Sequence, residues 1–199
     1  MRGREKFSRS EKYLTSLTRV FKFLPRNVTI FLWRLVSKGN SHITVGIRYC
    51  LARTLLKSCG RNVYFGPNLS ISGWEFIIIG DNVSLHAGCT LMGEGSITIN
   101  NDVSVAHSSS IISVNHTWDN KDLPIRDNPI SYSPVLIESD VWVGCGARIL
   151  AGTSIGSRCV IGANSVVTKD LSGGFLYAGT PATQLNSIVG KGSKRINPN

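Results

Sequence analysis

The stretch from Val135 to Val167 reads VLIESDVWVGCGARILAGTSIGSRCVIGANSVV, and its spacing decides the fold. Ile137, Val143, Ile149, Ile155, Ile161 and Val167 stand six apart without a miss. Four places after each come Val141, Ala147, Thr153, Cys159, Ser165 and Leu171, most of them small. An α-helix repeats every ~3.6 residues and a lone strand every ~2, so a strict six calls for one short strand plus one turn, repeated. Three such units close a triangular coil. The aliphatic residue points into the prism and the small residue fits the taper near a corner. Gly, Asn and Asp take up the turns, as in Ile155-Gly156-Ser157-Arg158-Cys159-Val160. Stacked coils bury a continuous aliphatic column, which no single coil does alone.

Upstream, the same phase recurs as Phe65 and Ile71, then Ile79, Leu85 and Leu91, then Ile99, Val105 and Ile111. Slips of two residues between these groups mark small bulges at a corner. The repeat breaks at length once, between Ile111 and Ile137, where 25 residues intervene instead of five. A solenoid's own turns are too short to present side chains over a groove, so a long insertion is where function is expected.

The rest of the composition bounds the class. The chain has 199 residues, 42% of hydrophobic type, with a formal charge of +10, which fits one folded main domain and excludes an acidic disordered chain. No uncharged apolar run reaches the ~18 residues that a membrane span needs. The most apolar N-terminal run, Val28 to Val36, is interrupted by Arg34 and lacks a signal-peptide cleavage site, so no export is expected. Cys50, Cys59, Cys89, Cys145 and Cys159 are odd in number and form no C-x-x-C pair. They read as reduced thiols of a cytoplasmic protein rather than as disulfide or zinc ligands.

The charge is local. Residues 1–61 carry 14 Lys and Arg against Glu5 and Glu11, a balance of +12, and the remainder carries −2. Apolar residues at helical spacing predict helices from Glu11 to Lys38, broken at Pro25, and from His42 to Ser58. In the second, Ile43, Ile47, Leu51 and Leu55 form one stripe, with Arg48, Arg53 and Lys57 on other faces. This basic region suits an anionic membrane surface, a solvated helical cap or, with no supporting motif, nucleic acid. The domain reading is therefore a basic helical region at 1–61, a repeat domain at 62–185 with its insertion at 113–134, and a tail at 186–199.

Within the repeat region, several segments carry a specific resemblance. They are Tyr132-Ser133-Pro134-Val135, Asp140-Val141-Trp142-Val143-Gly144, Ile161-Gly162-Ala163-Asn164-Ser165-Val166-Val167-Thr168-Lys169-Asp170 and Ala178-Gly179-Thr180-Pro181-Ala182. Residues 63–183 resemble the hexapeptide-repeat acyltransferases, and these motifs resemble the maltose and galactoside O-acetyltransferase branch. The basic helical N-terminus is more similar to the O-acetyltransferases of O-antigen and capsular polysaccharide assembly. The resemblance implies an all-β domain built as a left-handed parallel β-helix. It also implies acetyl-CoA as co-substrate, a saccharide acceptor, no metal, and a homotrimer whose grooves between adjacent prisms hold the donor.

Site residues follow from the chemistry and the resemblance together. A sugar hydroxyl attacking a thioester needs a base, and a neutral imidazole suits that work near pH 7. His116 lies at the start of the insertion, where the family places its catalytic His. Asp119 is a candidate to orient its ring, as is a backbone carbonyl. The oxyanion needs a fixed donor, and the family uses the N–H after the Gly of its W-[IV]-G motif, here that of Cys145. A nucleophilic Cys145 side chain is the sharper alternative, without a histidine next to it in sequence. By motif, Trp142, Gly144, Cys145, Ala163, Thr168 and Lys169 line the acyl-CoA groove. Turn geometry accounts for the same Gly and Ala.

The acceptor side is drawn from His86, Asn115 and Trp118. Close relatives carry Asn where His86 stands. After Gly179-Thr180-Pro181-Ala182, relatives often carry an Arg that reaches the nucleotide phosphate; Thr183 stands there, with Lys191, Lys194 and Arg195 as possible substitutes. N-acetylation of an amino sugar nucleotide, a γ-carbonic-anhydrase-like zinc lyase on His86, His107 and His116, and an inactive scaffold are the competing readings.

Overall fold

The computed structural model describes residues 3–188. It is a three-sided prism of parallel sheets with a helical cap. Face A is built from Ser58–Cys59, Ile77–Ile79, Ile97–Ile99, Val135–Ile137 and Ser154–Ile155. Face B holds Tyr64–Phe65, Ser84–Leu85, Ser104–Val105, Trp142–Val143, Val160–Ile161 and Phe175–Ala178, the last paired antiparallel with Thr183–Ser187. Face C holds Ser70–Ser72, Thr90–Met92, Ser110–Ile112, Arg148–Ile149 and Val166–Val167.

The register is the one that the period of six requires. Phe65, Leu85, Val105, Val143, Ile161 and Tyr177 stack on face B, while Leu91, Ile111, Ile149 and Val167 stack on face C. Ile79, Ile99, Ile137 and Ile155 stack on face A. All are buried, as are the small partners Ala147, Thr153, Cys159 and Ser165. The two-residue slips fall where face C meets face A, at the turn Trp74–Phe76 and at Gly93 to Ser96.

The turns differ from expectation in one respect. In Ile155 to Val160 the left-handed residue is Arg158, with φ 57°, and not Gly156. Gly156 is required because a Cβ there would meet the Gly173 backbone nitrogen at 2.5 Å. Glycine at this position therefore serves close stacking of coils, and the left-handed corner falls two residues later, at Asn62, Asn82, Asp102, Asp140 and Arg158 in successive coils.

Three helices precede the prism: α1 (Gly3–Phe21), α2 (Arg26–Val36) and α3 (His42–Leu55). α1 begins eight residues before the expected Glu11, and α3 ends three before Ser58, where face A already starts. Ser41 caps α3 by accepting from the Thr44 N–H. Trp33 of α2 packs edge-on against Phe65 and Trp74, closing the open end of the aliphatic column.

The helical stripe is corrected in two places. Arg48, assigned to a polar face, is fully buried, and its guanidinium donates to the carbonyls of Phe65, Val36 and Gly39. Ile43, assigned to the apolar stripe, is 75% exposed. α3 lies between α1 and α2 and against face B, so residues around Arg48 to Leu51 face packed neighbours, while its first turn projects beyond them.

Candidate active site

The insertion is an ordered hairpin. Val114–His116 pairs antiparallel with Ile130–Tyr132, with His116 opposite Ile130. Its far end is organised by Asn128, a buried amide that donates to the carbonyls of Asn120, Leu123 and Pro124 and accepts from the Asn120 N–H. The base is anchored by Ser113, whose hydroxyl donates to Met92 O and accepts from Gly95 N–H, while its carbonyl accepts from Ser133 N–H. The base of the hairpin is thus fixed at the corner where face C meets face A, and His116 projects from it, exposed. Asn115, Trp118 and Asp119 are exposed on the same hairpin. Among the described residues no hydrogen bond joins Asp119 to the His116 ring.

The opposite edge of face C, where it meets face B, collects a second set. The register puts Ala87, His107, Cys145 and Ala163 at equivalent positions in successive coils. The carbonyls of Ala87, His107 and Cys145 accept from the N–H of Ser108, Gly146 and Asn164 in the next coil. Their own N–H groups make no hydrogen bond among the described residues, so this corner presents a ladder of free donors. Gly144 precedes one of them: a Cβ there would meet Ile161 O at 2.6 Å and Ala163 N at 2.7 Å. The Gly144 carbonyl accepts from the buried hydroxyl of Ser109 at 2.9 Å. Arg148 donates to the carbonyls of Ser108 and Gly146, clamping the turn from the other side. Trp142 stands beside this corner on the outer surface of face B, 55% exposed.

One contact here escaped the sequence. The Cys145 Sγ lies 3.0 Å from His107 Nε2, with either group donating according to the ring tautomer. His86 sits on the preceding coil with its ring centroid 5.7 Å from that of Tyr64. Burial first, and the nearby charge of His107 second, hold the His86 imidazole below its ordinary pKa of 6.5. The signal for the Cys145–His107 pair was present, since Val105 and Val143 belong to one column and each contact residue follows by two. It becomes legible only once the coil length across the insertion is known.

The predicted residues therefore fall into two sets. His86, Gly144, Cys145 and Ala163 gather at the B–C corner; His116, Thr168 and Lys169 gather at the C–A corner, all three exposed. Six residues, with a strand of face C among them, separate equivalent positions of the two corners, as from Ala163 to Lys169. No hydrogen bond of the hairpin returns to the B–C corner among the described residues. A depression of about 510 Å³ lies elsewhere, lined by Asn82, Ser84, Asp102 and Asp140, and includes none of these residues. Thr183 is exposed at the start of the last strand, while Lys191, Lys194 and Arg195 lie outside the described residues. Among those residues no three His, Cys, Asp or Glu side chains converge as metal ligands.

This geometry can be set beside known proteins. The family described as "Bacterial transferase hexapeptide (six repeats)" matches residues 134–169. The galactoside O-acetyltransferase of Escherichia coli is 30% identical over 142 residues, 71% of this chain and 68% of that protein. WbbJ of E. coli, named for lipopolysaccharide biosynthesis O-acetyl transfer, is 30% identical over 168 residues, 83% of this chain and 81% of that protein. The chain belongs to the hexapeptide-repeat acyltransferases. Among solved structures, a hexapeptide-repeat acetyltransferase of Vibrio cholerae complexed with acetyl coenzyme A superposes with a TM-score of 0.70 at 27% identity. The match covers 94% of this chain and 99% of that one. A galactoside acetyltransferase in complex with coenzyme A gives 0.74 at 25% identity over 82% and 80%. The prism is the left-handed β-helix of this family, extended at its N-terminus by three helices.

Proposed function

We propose that this hexapeptide-repeat acyltransferase moves an acetyl group from acetyl-CoA to a hydroxyl of a saccharide, a precursor of a surface polysaccharide, by direct transfer. The split of the site between two corners of face C carries the reading. An imidazole at one corner and a free N–H at the other become partners when the C–A corner of one prism faces the B–C corner of its neighbour. A closed threefold ring creates three such grooves and leaves none unpaired.

In that groove the pantetheine arm of the donor lies along the B–C corner, where the free N–H ladder suits its amide carbonyls and the exposed Ala163 leaves room. Lys169 supplies a cation toward the phosphates. His116 accepts the proton of the acceptor hydroxyl as its oxygen attacks the thioester carbon. The Cys145 N–H donates to the oxygen that becomes negative, a contribution of about 10²–10³ in rate for such a donor. Collapse expels the coenzyme A thiolate, which takes the proton back from His116. No acyl-enzyme is required, and the thiol of Cys145 is a bystander on the backbone atom that acts. His86 and Trp118 border the acceptor space from the two corners. WbbJ's similarity over most of both chains supports a polysaccharide precursor over a free disaccharide.

The test is acetyl transfer from acetyl-CoA to a panel of purified glycans, with amino sugar nucleotides as a second arm. Glycan acetylation by the wild type, falling at least about 10²-fold in His116→Ala, is the expected result. Acetylation of the amino sugars alone would move the function to N-transfer, and an unaffected His116→Ala would remove the base.

A further inference from the structure

We propose that the outward face of the helical cap docks on an anionic phospholipid bilayer. The proposal stands on the cap alone and not on the acetyl-transfer reading. α2 is apolar on two sides. Thr29 and Trp33 are buried against the end of the prism, with Ile30, Leu32 and Val36 partly buried beside them. Val28, Phe31 and Leu35 stand at i, i+3 and i+7 on a different side, roughly 140° round the helix at ~100° per residue. They are 41%, 58% and 64% exposed. Phe23, in the turn leading into α2, is 90% exposed. A solvated cap has no use for this second apolar stripe.

Charge names the occupant. Between Glu11 and Glu75 the chain holds ten Lys and Arg and no acidic residue. Lys22, Arg34 and Lys38, around the stripe, are exposed and make no ion pair among the described residues, whereas Arg26 is held by Glu75 at 2.6 Å. A second copy of this surface would bring like charges together. A polyphosphate chain would answer the cations but leave the stripe in water. A bilayer of anionic lipid answers both, taking Phe23, Val28, Phe31 and Leu35 below the headgroups and Lys22, Arg34 and Lys38 among them. No helix among the described residues is long and apolar enough to cross a membrane, so the contact is interfacial. An acceptor carried on a lipid would then meet an enzyme already at its surface.

The experiment is co-sedimentation of the full chain with vesicles of phosphatidylcholine alone or mixed with phosphatidylglycerol, at low and high salt. Wild type is expected to sediment with the anionic vesicles, to stay in solution with phosphatidylcholine, and to release as salt rises. Phe31→Glu with Leu35→Glu, and separately Arg34→Glu with Lys38→Glu, are expected to weaken partition at least about tenfold. All four positions are exposed, and the thermal midpoint confirms that each variant folds. Wild type that ignores anionic lipid overturns the proposal without reference to any variant. So does a Phe31→Glu, Leu35→Glu chain that sediments normally, or one whose only change is a smaller assembly in the absence of lipid, which would give the stripe to a second copy.

Discussion

At the scale of single residues, Cys145 offers a test that separates its backbone from its side chain. Pro67 occupies the equivalent corner of the first coil, preceded by Gly66 as Cys145 is preceded by Gly144, so this corner accepts a residue without an N–H. Cys145→Pro is expected to keep the fold and lose about 10²–10³ in kcat, while Cys145→Ala stays within a few-fold of wild type. The reverse order in steady-state kinetics would make the thiol, with His107 beside it, the reacting group. His86 carries a pH dependence. Its folded pKa is lowered, so between that value and 6.5 the unfolded chain binds more protons, and stability is present at neutral pH and lost as pH falls below about 6.5. Thermal melts are expected to show a drop in midpoint from pH 7 to pH 5 that is smaller in His86→Gln. The place of His116 on an exposed hairpin was legible from one long insertion in a short-turn solenoid. The His107 contact was not, because it links residues 38 apart through an insertion of unknown path.

At the scale of elements, the joint between helices and prism rests on Arg48. Its three carbonyl acceptors come from the end of α2, the α2–α3 link and face B, and burial holds its pKa below the usual guanidinium value. Arg48→Met removes the charge but takes the donor from the buried Phe65 carbonyl and the half-buried Gly39 carbonyl, while Val36 O keeps the Gly39 N–H, an expected loss of about 2 kcal/mol in urea unfolding with an unchanged m-value. The exposed pairs Arg26–Glu75 and Arg61–Glu11 span the same joint and contribute little by comparison. Within the prism, Gly144→Ala forces a Cβ onto Ile161 O and Ala163 N in the coil above, with an expected cost of about 1–3 kcal/mol by thermal or urea unfolding. Helical periodicity could name the faces of α3 but not which one meets protein. That is why Arg48 and Ile43 exchanged the places expected of them: burial depends on what lies opposite, and a helix does not encode its neighbour.

At the scale of the whole molecule, the proposed groove predicts complementation. His116→Ala and Cys145→Pro chains are each inactive alone, but a groove between unlike chains can contain one intact imidazole and one intact N–H. Mixing the two by denaturation and refolding at equal amounts is expected to restore about a quarter of the wild-type sites in a closed ring with random assembly. Light scattering should report three chains per particle. A mixture that stays inactive while assembling would put both groups in one protomer. In such a ring the three caps sit at the same end, so lipid binding by each would add as avidity. The sequence by itself determined the prism, the residues of its column and the site of its one excursion, because a period of six has a single cheap solution once each aliphatic must be buried. Only the tertiary structure decided which corners hold the candidate residues and which side of the cap is left outside. Coils of twenty residues before the insertion and eighteen after it bring distant positions into register, and the buried side of a helix is set by what packs on it.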